Sequence, residues 1–297
     1  MALLLPCAVA WKFSTRVPSC RSLVLVALGF SITFGISRVA NFSHGGFYVL
    51  GGIFTWYGLV KLGMPYFLSA ILSVIIIGAL GALMYKVILV RLRGLELSEV
   101  IATLSVGIVI LELLRGLGVF GYEFRNPVFI DGSVDIFGVG VGIQRIIIVC
   151  AGALLLLILH VFVHHTKMGL AFRGVAQQEH TALSVGINPD QVSLLSLAMG
   201  SVMCALSAVL ILPLGVISVD EGYDILIKAL AVCIIGGLES TLGVLVAAFI
   251  IGYIEVLTSM YISSALTSVV PLACMLVILL IRPSGIFGKS KEIEERV

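Results

Sequence analysis

Nine long apolar runs follow one another along the 297 residues, with short polar segments between them. Runs such as 154–163, in which His160 is the one polar residue, and 272–281 do not alternate between apolar and polar residues. Closed β-barrels show alternating segments of about ten residues, whereas a helix needs about 20 apolar residues to cross the hydrocarbon core. Because lipid cannot satisfy free backbone groups, the runs predict membrane helices. They lie at 17–37, 45–60, 66–90, 98–119, 143–163, 192–213, 224–238, 241–258 and 267–281.

The composition excludes an ordinary water-soluble fold. Hydrophobic residues make up 60% of the chain and charged residues 11%, and the mean hydropathy is +1.20. Soluble domains carry roughly 25% charged residues. The net charge of +2 comes from side chains placed almost entirely between the runs, which gives no electrostatic footprint for nucleic acid. We expect an all-α integral membrane protein with one transmembrane domain over residues 1–297.

The positions of lysine and arginine predict which segments face the cytoplasm, because short cytoplasmic loops carry an excess of both. Basic residues gather at 86–93, at 164–191 and in the tail from Arg282, so the carboxy terminus is expected to be cytoplasmic. The net acidic segments 121–136 and 219–224 are expected outside. These assignments alternate without contradiction from residue 66 to the end.

The amino-terminal end does not follow this alternation. Two full crossings before residue 66 place the terminus outside, whereas Lys12, Arg16 and Arg21 favour the inside. A re-entrant segment near Asn41 removes the conflict, which favours about eight true crossings.

Two glycine-rich joints interrupt the apolar pattern at comparable places in the two halves of the chain. The first spans 41–46 and the second 236–240. Polar residues and glycine pairs at such joints fit broken helices that line a cavity, and paired breaks point to an internal repeat with a transport path at its interface. Close packing between helices is the alternative for each single glycine. Where the joints meet, the predicted path residues are Asn41, Ser43, His44, Gly45, Gly46, Lys228, Gly236 and Gly237.

The hydrophilic segment 164–191 contains a predicted docking helix. Residues 168–185 carry a small apolar stripe among charged and polar side chains, and 186–189 supplies the glycine and proline that end a helix. A helix lying on lipid would carry bulky apolar residues and many lysines. The small residues favour a protein groove instead.

Several motifs resemble one transporter family. The sequence Asn-Phe-Ser-His-Gly at 41–45 resembles a signature of LivH-type permeases in the branched-chain amino acid ABC importer family. Residues 168–173 with 186–188 are similar to the loop that docks the ATPase in that family, and 228–240 and 282–288 are similar to its later motifs. The resemblance runs from about residue 21 to residue 288.

The resemblance implies an inner-membrane permease subunit for branched-chain or other small amino acids. It implies separate ATPase subunits that use ATP, a second permease of the LivM type and an extracytoplasmic solute-binding protein, with no cofactor on this chain. Gly46 and Glu239 depart from residues common in the family, which also imports urea, short amides and small organic acids. The residues expected to couple to the ATPase are Met168, Gly169, Arg173, Ala176, Glu179, Ala182, Gly186, Ile187 and Asn188.

Ionisable residues inside apolar runs each have a structural and a functional interpretation. Glu112 and Arg115 are three residues apart on a helix and are expected to pair. Lys228 is expected to be structural before it is a substrate contact, and His44 is expected to bond a freed carbonyl before it lines a path. Glu255 has no partner nearby in sequence.

A secondary transporter and a membrane enzyme are the two alternative classes of membrane protein. An ion-gradient-driven secondary transporter uses the same glycine breaks, with Glu255 as its only weak coupling site. A membrane enzyme needs a catalytic cluster, and the sequence suggests none. His160 and His164 have the spacing of a metal pair without a third ligand, so no metal site is expected.

Overall fold

The computed structural model describes residues 19–37, 40–118, 133–136, 139–213, 218–237, 240–282 and 284–288. Every predicted apolar run forms a helix within these residues. The long helices are α1 (Ser19–Ser37), α2 (His44–Val60), α3 (Tyr66–Met84), α4 (Glu96–Gly116), α5 (Ile143–His165), α8 (Pro189–Ile211), α9 (Val219–Gly236), α10 (Thr241–Tyr261) and α11 (Val269–Ile281).

Five helices among the described residues are long and apolar enough to cross a membrane. Two further apolar helices are shorter, at Leu25–Ile36 and Val269–Ile281. The structure is therefore that of a helical integral membrane protein. The five long spans are Tyr66–Leu92, Leu97–Gly116, Ile146–His165, Pro189–Ile211 and Leu242–Tyr261.

Shorter elements complete the described chain. A π-helical segment, Tyr85–Leu89, and a last turn, Val90–Leu92, extend α3. Strands β1 (Ser133–Ile136) and β2 (Val139–Gly142) form an antiparallel hairpin before α5. The helices α6 (Lys167–Gln177) and α7 (Glu179–Ser184) follow α5, and a 3₁₀ turn, Ser264–Leu266, precedes α11.

Helix α8 is the centre of the bundle and packs against α1, α2 and α3. It runs antiparallel to α1, since Ser196 of α8 accepts a bond from Thr33 while Met203 faces Gly29. It runs parallel to α2, where Ala205 lies against Gly51. Small residues at these crossings let the backbones approach closely, as in other membrane bundles.

The packing around α1 repeats the packing around α8. Helix α8 contacts α1, α2 and α3, while α1 contacts α8, α9 and α10. Helix α2 packs on α3 and α4, and α9 packs on α10 and α11. When α1, α2, α3 and α4 are matched in order with α8, α9, α10 and α11, each of these contacts has a counterpart in the other set.

The bundle has two distinguishable ends. The coupling end carries α6, α7 and the start of α8, together with Leu242 at the start of α10, which shares a cleft with Arg173 of α6. The opposite end carries the turn at 61–65 and the carboxy-terminal part of α8, where the Tyr66 hydroxyl donates to the Val209 carbonyl.

One sequence prediction about the loop is wrong in detail. Residues 168–185 form two helices rather than one, because Gln178 is extended, with φ −156° and ψ 108°. Gly186 adopts φ +84°, a conformation that favours glycine, and the Asn188 side chain caps α8 by accepting from the Asp190 amide at 3.0 Å. Gly186 therefore follows the end of the helix as predicted, and Asn188 starts the next helix.

Candidate functional site

The first glycine-rich joint is a buried turn held by its own side chains. The Asn41 carboxamide oxygen accepts from the Ser43 amide at 3.1 Å and from the Ser43 hydroxyl at 2.5 Å. The Phe42 amide donates to the Thr103 hydroxyl at 3.3 Å, which ties the joint to α4. The polar residues of the joint thus replace backbone bonds that the break leaves free.

The glycines of this joint allow two helix crossings. A Cβ on Gly45 would collide with the carbonyl oxygen of Gly222 in α9, and one on Gly46 would lie 3.2 Å from the Ile110 side chain. Gly107 of α4 lies on the joint's other side, where its Cβ would be 3.0 Å from the Phe42 oxygen. Gly107 is near the middle of α4, so the joint lies halfway along that helix.

His44 is fully buried beside this crossing. Its ring packs edge-to-face on Phe30, with 5.4 Å between centroids, and faces the backbone of Asn41 and Gly29. Neither ring nitrogen forms a hydrogen bond with the described residues, so the expected bond from His44 to a freed carbonyl is not present and His44 acts here as a packing residue.

The second joint packs against a different part of the chain. Gly237 has φ +98°, and a Cβ on Gly236 would lie 2.5 Å from the backbone of Gly243 in α10. The Phe287 amide donates to the Gly236 carbonyl at 3.2 Å, and the Ile286 amide donates to Ile235 at 2.8 Å. Residues 238 and 239 of this joint, including Glu239, lie outside the described residues.

The prediction that the two joints meet is wrong. The first joint contacts α9 at Gly222, and the second is the carboxy-terminal end of α9 at Gly236. Fourteen residues separate these positions, which is about 21 Å along a helix. The two joints therefore lie at opposite ends of one helix and do not form a common cavity.

Lys228 and Glu255 form an ion pair between α9 and α10. The Lys228 Nζ lies 3.2 Å from the Glu255 Oε1, and their side chains are 9% and 1% exposed. The pair supplies the partner that the sequence did not reveal for Glu255. It supports the structural interpretation of Lys228, because a buried charge needs a compensating one.

The predicted pair of Glu112 and Arg115 is confirmed, with 3.2 Å between Oε1 and Nη1. Arg115 also contacts Asp220, with 2.5 Å between Nη2 and Oδ1. This contact joins the carboxy-terminal end of α4 to the first turn of α9. It places the acidic segment 219–224, which the charge pattern assigned to the outside, beside the carboxy-terminal end of α4.

The coupling helices fold back on the end of α5. The Thr166 hydroxyl caps α6 by accepting from the Gly169 amide at 3.0 Å. A Cβ on Gly169 would collide with the Val163 carbonyl, and Phe172 packs on Phe162, with 6.1 Å between ring centroids. One face of the predicted docking segment is therefore used inside this chain.

The buried and exposed faces sort the predicted coupling residues. Gly169 and Ala182 are buried, while Ala176 and Ile187 are partly buried. The exposed ones are Met168, Arg173, Glu179, Gly186 and Asn188. Of the predicted coupling residues, only these exposed ones are available to a partner subunit.

Three exposed apolar side chains on the same loop were not among the predicted coupling residues, although the predicted apolar stripe included Val185. Leu170, Leu183 and Val185 are 62%, 51% and 70% exposed. Their place in a hydrophilic loop was the available signal, since contiguous exposed apolar patches mark interaction sites. We call Leu170, Leu183 and Val185 with Met168 the docking patch.

Arg93 ties the coupling helices to the end of α3. Its guanidinium contacts the carboxylates of Glu179 in α7 and Asp190 in α8. The Tyr85 hydroxyl, in the π-helical segment, also lies 3.3 Å from the Asp190 carboxylate. These contacts place the basic segment 86–93 beside the coupling loop, as their common assignment to the cytoplasm requires.

Comparison with known proteins identifies the family. Residues 19–279 match the model of the family described as branched-chain amino acid transport system / permease component. The chain belongs to this family. It is a family of transport permeases, in agreement with the prediction that this chain is not an enzyme.

Relatives in this family align over most of the chain. The permease protein LivH of the high-affinity branched-chain amino acid transport system from Salmonella typhimurium is 30% identical, covering 91% of this chain and 92% of the relative. The corresponding protein BraD from Pseudomonas aeruginosa is 26% identical with the same coverage. LivM from Salmonella typhimurium is 26% identical, covering 84% of this chain and 65% of the relative.

Proposed function

We propose that this chain is an inner-membrane permease subunit of an ABC importer for branched-chain or other small amino acids. Family membership supports the transport role, and the observation that carries the ABC assignment is the docking patch on α6 and α7. Separate ATPase subunits would bind this patch and use ATP. A binding protein would deliver the solute, and a second, LivM-type permease would complete the path.

The mechanism follows from the contacts of the coupling end. Closure of the ATPase subunits would move α6 and α7, and Arg93 would transmit this motion to α3 and α8 because it contacts both Glu179 and Asp190. The bundles would then rock between inward-open and outward-open states. Segment 164–191 is proposed as the coupling loop of a single permease domain over 1–297.

The repeated packing supports a proposed internal repeat that relates α1–α4 to α8–α11. Its halves cross where Gly45 meets Gly222. We place the path beside the first joint, at Asn41, Ser43, His44, Gly45 and Gly46. The distance to Gly236 and Gly237 favours a packing role for the second joint.

The orientation of the chain is part of the proposal. The coupling end faces the cytoplasm, and the tail joins it because Phe287 packs at the same end of α9 and α10. Helix α1 runs antiparallel to α8, which favours an external position for Ser19 at the start of α1. An external Ser19 agrees with two full crossings before residue 66, so the orientation depends less on a re-entrant segment near Asn41. The number of eight crossings stays a prediction.

An ion-gradient-driven carrier is a weaker proposal. It would depend on Glu255 as the coupling site, and the contact with Lys228 provides a structural reason for this carboxylate.

The test is association with the ATPase. Leu183→Lys should remove the ATPase subunit from the complex purified in mild detergent, because a charge would occupy the apolar patch. Gln191→Lys adds the same charge at an exposed site outside the patch and should leave association intact. An ATPase subunit retained by Leu183→Lys, or gradient-driven uptake by the purified chain alone, would contradict the proposal.

A further inference from the structure

A cleft at the coupling end is lined in part by the proposed coupling loop, but the proposed function assigns no ligand to it. It lies between the carboxy-terminal half of α1, the end of α5, helix α6 and the start of α10, with a volume of about 190 Å³. Its residues are Leu28, Ser31, Ile32, Gly35, Ile36, Leu159, His160, Val163, His164, Phe172, Arg173, Ala176, Leu242 and Leu245.

The interior of the cleft is apolar. Leu28 and Ile32 of α1 face Leu159 of α5 and Leu245 of α10 across it. Gly35 leaves additional room, because a Cβ at that position would meet no atom within 4 Å. An occupant of this part needs a flexible apolar chain.

The rim of the cleft is cationic and polar. Arg173 lies beside His164, with its Nη2 donating to the His164 carbonyl at a distance of 3.5 Å. His160 and His164 stack with 4.2 Å between ring centroids, and the His164 Nδ1 contacts the His160 carbonyl at 3.0 Å. None of the described residues that line the cleft is acidic. The rim therefore suits a negatively charged group.

The position of the cleft favours a lipid over a soluble ligand. Helix α5 forms one wall, and only 12% of its membrane span is buried inside the chain. Leu157, Ile158 and Val161 are exposed beside the lining residues of this helix. A molecule that enters from the bilayer would place its acyl chain against Leu28 and Leu245 and its headgroup near Arg173.

We propose that this cleft binds an anionic glycerophospholipid of the membrane. The phosphate lies at Arg173 beside the two stacked histidines, and one acyl chain lies between α1, α5 and α10. Because α6 supplies Arg173 and also carries part of the docking patch, bound lipid steadies α6 against α1. The lipid site goes beyond the transport function, and its occupancy is measurable without transport.

Lipid retention by the purified complex tests the proposal. The complex is reconstituted with equal amounts of phosphatidylglycerol and phosphatidylcholine, exchanged into mild detergent, and analysed for bound lipid by native mass spectrometry. Phosphatidylglycerol should be the retained species. Arg173→Gln should weaken its retention about fivefold, the effect expected for one basic residue near a membrane surface.

Two matched controls separate this site from general charge and bulk. Lys167→Gln removes an exposed positive charge from the same helix outside the cleft and should retain lipid. Gly35→Phe should fill the cleft and expel the lipid, whereas Gly152→Phe adds the same side chain at another position with no atom within 4 Å and should not. Inorganic phosphate should not displace the lipid, because it lacks an acyl chain.

Several results would overturn the proposal. They are equal retention of the two lipids, equal effects of Arg173→Gln and Lys167→Gln, displacement by inorganic phosphate, or a cross-link from a cysteine at position 35 to the second permease. Loss of the ATPase subunit would argue against the proposed function and leave the lipid measurement interpretable.

Discussion

At the residue scale, the ion pair of Lys228 and Glu255 is the most consequential contact in the bundle. Both side chains are buried between α9 and α10. Removing one member of a buried pair leaves the other charge uncompensated, and this typically destabilises a protein by several kcal/mol. Replacing both members by apolar residues is often neutral.

These energetics predict a non-additive mutational cycle. Lys228→Met and Glu255→Gln should each lower the free energy of unfolding by about 3 kcal/mol, and Lys228→Met combined with Glu255→Leu should recover most of that loss. Thermal unfolding of the detergent-solubilised protein measures the effect. Lys86→Met, at an exposed lysine, is the control.

A substrate contact by Lys228 would give another pattern. Uptake would then fall in Lys228→Met at unchanged stability, and the double variant would not recover it. That result would support the prediction that Lys228 lines the transport path.

At the element scale, the loop that we propose to couple to the ATPase is attached to α3. Helix α7 reaches the bundle through Glu179, and its partner Arg93 follows the last turn of α3, which comes after the π-helical segment Tyr85–Leu89. Segments of π-helix are frequent at functional sites. Partly exposed ion pairs of this kind contribute about 1 kcal/mol or less to stability. We therefore propose that the pair of Arg93 and Glu179 transmits motion rather than stabilises the fold.

The attachment predicts uncoupling without unfolding. Arg93→Gln should lower solute uptake and the stimulation of ATP hydrolysis by the binding protein, while the unfolding temperature changes little. Uptake and hydrolysis in reconstituted complexes measure both effects. Arg91→Gln, at an exposed arginine two residues away, should behave like the unchanged protein. Normal uptake by Arg93→Gln would remove this link from the mechanism.

At the scale of the whole molecule, the repeated packing and the two ends define the orientation in the membrane. The turn at 61–65 lies opposite to the coupling helices, since α3 begins beside Val209 and reaches Asp190 through Tyr85. Basic residues of the coupling end are expected to be cytoplasmic. The turn is therefore expected outside.

Cysteine labelling in intact cells checks this orientation. Leu62→Cys should react with a membrane-impermeant maleimide from outside, because Leu62 is exposed in the turn. Gln178→Cys should react only after the cells are permeabilised. Labelling of both sites from the same side would contradict the arrangement.

Features that depend on residues close together in the sequence were predictable, whereas contacts between residues far apart in the sequence were not. All nine apolar runs became helices within a few residues of their predicted bounds, because hydrophobic pattern and caps such as Asn188 act locally. The helical structure of segment 168–185 was predicted for the same reason, although its break at Gln178 was missed. The pairing of Lys228 with Glu255 was not predictable, since 26 residues and a helix boundary separate them.

The sequence by itself determined that this is a helical membrane protein, where its helices lie, which family it belongs to and which loop is polar. These properties depend on transfer of side chains into lipid and on motifs read along the chain. Only the tertiary structure decided that the glycine-rich joints lie apart, that Gly45 meets Gly222, and which loop residues stay exposed. Those outcomes depend on how helices cross, and close packing between distant backbones leaves no local pattern in the sequence.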